Sequence, residues 1–159
     1  MNNPQRDAGR RDSRNNPQQS SFDKQQIKLA PGNLPTDLFC KVAEDAAKDV
    51  AQWKEEGQCV GRDASKSTQL RKFYDEICMW NSKVQQEPER FEEVLPFILM
   101  LKAKVAYAKG RKHVNGNYFT LLNHCLTEIE NNPCQETLNN LKFFMEAFTG
   151  FYKVYGPKN

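Results

Sequence analysis

From Leu101 to Lys112 the chain reads Leu-Lys-Ala-Lys-Val-Ala-Tyr-Ala-Lys-Gly-Arg-Lys, which is five cationic side chains, one tyrosine and no carboxylate. Cations gathered this densely suit an anionic partner, and a phosphate backbone is the partner they fit best. Helical spacing puts Lys104, Tyr107 and Arg111 on one i, i+3, i+7 stripe and leaves Leu101, Val105 and Ala108 to turn toward a core. A second basic stretch, Lys66, Arg71 and Lys72, surrounds Ser67 and Thr68 at the start of another helical pattern. There, hydroxyls and free N–H groups at a helix N-terminus also favour an anion. Arg71 and Arg111 can each make two parallel bonds to a phosphate, whereas Lys104, Lys66, Lys72 and Lys112 act as point charges. Each has a competing local use: Arg71 can pair with Asp75 and Lys72 with Glu76 at i+4, and Arg111 can bond carbonyls at its own helix end. Tyr107 is expected to pack, with its hydroxyl reaching a partner.

Catalytic chemistry is hard to assemble from the remaining residues. There is no Gly-rich phosphate loop, no H-E-x-x-H and no G-x-S-x-G. Five cysteines at 40, 59, 78, 125 and 134 form no C-x-x-C pair, and the two histidines are His113 and His124. The sequence therefore calls for no catalytic residue, no cofactor and no metal, with the cysteines reduced. His124-Cys125 as a nucleophilic pair is weaker than Cys125 as a small buried hydrophobe.

The elements that must position the basic residues are helices. Leu38, Phe39, Val42, Ala46, Val50 and Trp53 predict a helix from Thr36 or Asp37 to about Glu56, stopped by Gly57. Ser65 or Ser67 caps a second, with Leu70, Phe73, Tyr74, Ile77, Trp80 and Val84 on its apolar stripe. Pro96 predicts a short helix at 88–94 joined to a longer one at 95–111, ended by Gly110. Asn117 opens a fourth, and Pro133 starts a last one carrying Leu138, Leu141, Phe144, Met145, Phe148, Phe151, Tyr152 and Tyr155. Short connections give a compact all-α bundle of about five helices over 36–156.

Residues 1–35 are rich in Asn, Gln, Pro, Ser and Arg, and predict a disordered basic tail. The formal charge is +3, and the tail holds six basic and three acidic residues, so the body is neutral with its signs segregated. That pattern predicts one basic face and other faces for protein partners. With no secretory h-region and no apolar membrane span, the expectation is a cytoplasmic protein that does not engage a membrane.

In order, Ser67-Thr68-Gln69-Leu70-Arg71-Lys72-Phe73-Tyr74 and the run from Leu101 to Arg111 resemble the small subunit of type III-A CRISPR effector ribonucleoproteins, the Csm complexes. The aromatic last helix, with Phe-Phe-Met-Glu-Ala-Phe and Tyr-Lys-Val-Tyr, is similar to that family's C-terminal helix. The resemblance covers about residues 65 to 155. It implies a non-catalytic helical protein of antiviral defence, stacked in several copies as a filament beside the crRNA-binding backbone subunits and the large subunit. Those copies would hold the crRNA–target RNA duplex by its backbone without sequence preference. The alternatives are the type III-B small subunit and a helical protein-interaction adaptor that does not bind RNA.

Overall fold

The computed structural model describes residues 22–158. Among them the regular structure is helical, and the only β pairing is one isolated antiparallel bridge between Lys54 and Cys59. A π-helical turn over Leu38–Val42 runs into α1 (Ala43–Ala51). Then follow α2 (Ser67–Gln86), a 3-10 turn over Pro88–Arg90, α3 (Phe91–Leu99), α4 (Leu101–Gly110), α5 (Gly116–Asn131) and α6 (Gln135–Tyr155). The all-α bundle expected from the periodicity is the fold observed, with α3 and α4 following one another around Met100.

The last helix is the spine. It packs along α1 on one side and α2 on another, burying Leu138, Leu141, Phe144, Met145, Phe148 and Tyr152. The wide aromatic surface is thus largely core, and each such side chain contributes about 1.5–3 kcal/mol by leaving water. Tyr118 of α5 locks the centre, its ring 5.8 Å from Phe73 of α2 and 6.1 Å from Phe148 of α6. Leu101, Val105 and Ala108 bury one side of α4 as their spacing predicts.

Several boundaries move, for local reasons. The first helix stops at Ala51, five residues before Glu56. Gln52 turns left-handed at φ 50°, and the Trp53 amide donates back to the Lys48 carbonyl at 2.9 Å. Trp53 then leaves the helical stripe and meets Tyr155 edge-on at 5.1 Å. Gly57, at φ 83°, serves the Lys54–Cys59 hairpin rather than the helix end. Pro96 lies inside α3 and the irregularity comes at Met100. Pro96 and Glu92 both face solvent, so water can satisfy the carbonyl that proline deprives of a donor. Gly110 ends α4, but the left-handed residue beyond it is Lys112 at φ 58°.

The largest departure concerns the expected tail. Residues 1–21 lie outside the described residues; from Phe22 onward the chain packs against the bundle as a strap. Ile27 and Leu29 are fully buried and belong to the core. Three side chains hold the strap by its backbone. His124 Nε2 lies 2.8 Å from the Ile27 carbonyl, Glu128 accepts from the Leu29 amide at 3.0 Å, and Asn140 donates to the Leu29 carbonyl at 2.9 Å. The folded unit therefore starts before residue 36. Few apolar residues suffice here because the strap borrows its hydrogen bonds from α5 and α6.

Candidate nucleic-acid interface

A buried polar knot sets the position of the basic residues. Ser65, which does not cap α2, is 1% exposed. Its hydroxyl donates to Asn115 Oδ1 at 3.0 Å and accepts from the Asn115 amide at 2.9 Å. The Asn115 side chain caps α5 by accepting from the Tyr118 amide at 3.0 Å and donates to the Val50 carbonyl at 2.7 Å. Tyr152 donates its hydroxyl to the Ser65 carbonyl at 2.5 Å, and burial raises its pKa. One residue later the Lys66 amide donates to the His113 carbonyl at 3.1 Å. The N-terminus of α2 is thereby fastened to the turn after α4, so the two basic segments abut although they lie far apart in the chain.

Between them lies an open cleft of ≈ 330 Å³. Gln69, Lys72 and Glu76 of α2 form one wall, Lys104 and Tyr107 of α4 the other, and His113 closes an end. Phe73 and Ala108, both nearly buried, make the floor. Lys104 bonds Glu76 Oε1 at 2.6 Å across the cleft, with the lysine side chain 47% and the carboxylate 22% exposed. Glu76 is thus taken by α4 and not by Lys72, its expected i+4 partner, and Lys72 remains exposed.

Lys104, Tyr107 and Arg111 do share one exposed stripe. Tyr107 does not pack as expected: it is 66% exposed, since the helices flanking α4 leave this stripe open. Its hydroxyl accepts from Arg111 at 3.4 Å, and the guanidinium lies 5.9 Å from the ring centre. Two other cations of the run point elsewhere. Lys102 crosses to Glu130 of α5 at 2.7 Å, and Lys109 sits over the Phe119 ring at 4.6 Å.

The remaining expected residues divide. Lys66, Thr68 and Lys112 are exposed near the fastened end of the cleft. Ser67 spends its hydroxyl on the Pro157 carbonyl at 3.4 Å. Arg71 falls outside the cleft stripe of α2 and pairs with Asp75 at 3.2 Å, the i+4 partner named for it. Sequence reasoning missed Gln69, Glu76 and His113 as cleft residues, and Ser65 and Asn115 as the residues that position them. Asn115 carried a readable signal, an Asn three residues before an apolar run.

His124 and Cys125 do not form a nucleophilic pair. The histidine serves the strap, and burial raises the Cys125 thiol far above its ordinary pKa, which keeps it protonated. Among the described residues no group of three or more His, Cys, Asp or Glu could hold a metal ion, and no helix is long and apolar enough to cross a membrane.

The family model described as Csm2 Type III-A matches residues 43–158, from the first residue of α1 to beyond α6. No curated protein and no solved structure matches the chain. The matched span contains both basic helices and excludes the strap and the π-helical turn.

Proposed function

Because the chain belongs to the Csm2 type III-A family, the small subunit of a type III-A CRISPR effector complex, we propose that it holds the crRNA–target RNA duplex by the cleft between α2 and α4. Lys104, Arg111 and Lys72 are the central contacts, Lys66, Lys112 and Thr68 flank them, and Arg71 reaches a neighbouring stretch of backbone from the adjacent face of α2. The observation that carries this reading is the fastening of the two basic segments into one cleft through Ser65, Asn115 and the Lys66–His113 bond.

Phosphate contacts suit a guide whose sequence varies, because the backbone is common to every sequence and side chains cannot read the deep major groove of an A-form duplex. Ion pairs at Arg71 and Lys104 hold those cations in place without removing them from water. Exposed pairs of this kind are worth about 0–1 kcal/mol and yield readily to a polyanion. Several copies stacked as a filament along the duplex, beside the backbone and large subunits, would repeat the grip at intervals. The protein itself contributes no cutting step. The type III-A match favours this reading over the type III-B small subunit.

Purification of the tagged protein from its own host tests the assignment. The expected result is co-purification of large and backbone CRISPR subunits with a guide RNA. Recovery of protein partners only, unchanged by ribonuclease, would favour the helical adaptor instead. Within the assembled complex, charge reversal at Lys72, Lys104 and Arg111 together should weaken target-RNA capture while the fold stays intact.

A further inference from the structure

Among the charged groups of the cleft, Glu76 stands apart. Lys72 and Lys104 donate hydrogen bonds, and the Gln69 amide and Tyr107 hydroxyl can donate as well. Glu76 is a carboxylate placed where a polyanion is to bind, it can only accept, and it is the less exposed member of its pair with Lys104. Lys104 occupies Oε1, which leaves the group a second acceptor oxygen. A carboxylate facing phosphates repels them unless the ligand also offers it a donor. A nucleic-acid backbone offers one: the ribose 2′-hydroxyl, which DNA lacks.

We infer that Glu76 is the residue by which this cleft recognises ribose, accepting a hydrogen bond from a 2′-hydroxyl while Lys104 turns toward the adjoining phosphate. The inference rests on the RNA grip proposed above and adds to it a choice of sugar. In the free protein the Glu76–Lys104 bond holds both side chains at the cleft. When RNA arrives, the hydroxyl replaces the ammonium at the carboxylate, and the phosphate replaces the carboxylate at the ammonium. A backbone without the hydroxyl supplies only the second half of that exchange and leaves Glu76 facing negative charge.

The test uses the full-length protein and two duplexes of one sequence, one of RNA and one fully 2′-O-methylated, which keeps the A-form and removes the donor. Wild-type protein should bind the RNA duplex on the order of tenfold more tightly, the range of one hydrogen bond to a charged group. Glu76→Met should abolish that ratio, mainly by improving binding of the methylated duplex. Glu76→Gln, whose amide oxygen still accepts, should retain part of it. Equal binding of the two duplexes by wild type overturns the sugar reading alone. So does an increase of the same factor for both duplexes in Glu76→Met, which would make Glu76 only a counterion of Lys104. A wild-type protein that binds neither duplex overturns the RNA grip itself, and the sugar reading with it.

Discussion

The strap groove on α5 and α6 and the cleft between α2 and α4 are built from similar materials, polar side chains over an apolar floor, and spend them in opposite ways. In the groove, His124, Glu128 and Asn140 each end on a backbone group of the strap at 2.8 to 3.0 Å, and the two anchors beneath are fully buried. In the cleft, Tyr107 is 66% exposed, and Lys104 keeps nearly half its surface in water despite its carboxylate. Polar groups matched to backbone partners at an apolar seat stabilise a fold. Charges left reachable at the surface add little to stability and stay open to a charged partner.

If that contrast holds, substitutions should separate cleanly. The largest stability effect is expected for Leu29→Ala, about 2–5 kcal/mol in urea unfolding, with the salt dependence of RNA binding unchanged. Next comes Glu128→Ala, which leaves the Leu29 amide without its acceptor. It should cost about 1–3 kcal/mol, and faster proteolysis within residues 22–35 would report a loosened strap. A cleft substitution should do the reverse: Lys104→Ala should cost less than about 1 kcal/mol of stability while weakening RNA binding severalfold. Equal losses of stability from Lys104→Ala and Glu128→Ala would erase the distinction.

The smallest effect belongs to neither region. Arg90 bonds Glu93 through both carboxylate oxygens at 3.0 Å, and this holds the Glu93 carboxyl below its ordinary pKa. A lowered folded-state pKa contributes stability above the unfolded value, and that contribution is lost as pH falls through the folded one. Thermal unfolding of wild type and Arg90→Ala should therefore show a slight gap at neutral pH that closes in acid.

Legible in the sequence is whatever a single helix decides. Leu101, Val105 and Ala108 have to turn inward together, and the Arg71–Asp75 pair follows from one turn of helix. What escapes depends on distant partners. The Lys104–Glu76 bond joins residues 28 apart, and the strap's hydrogen bonds join residues 97 to 111 apart. Ile27 and Leu29 look like stray apolar residues in a polar segment, since no local pattern announces a groove that α5 and α6 form only after folding. Tyr107 escapes for a related reason: its spacing places it on a face of α4, but only the arrangement of the other helices leaves that face uncovered.

Whether the cleft binds phosphate is decided most directly by salt. Affinity for an RNA duplex, measured across a series of salt concentrations, should fall steeply for the wild-type protein. In the Lys72→Ala, Lys104→Ala, Arg111→Ala triple variant the slope of log affinity against log salt should be shallower by roughly 0.9, the double-helix value, for each phosphate no longer neutralised. An identical slope in the two proteins would contradict phosphate binding at the cleft.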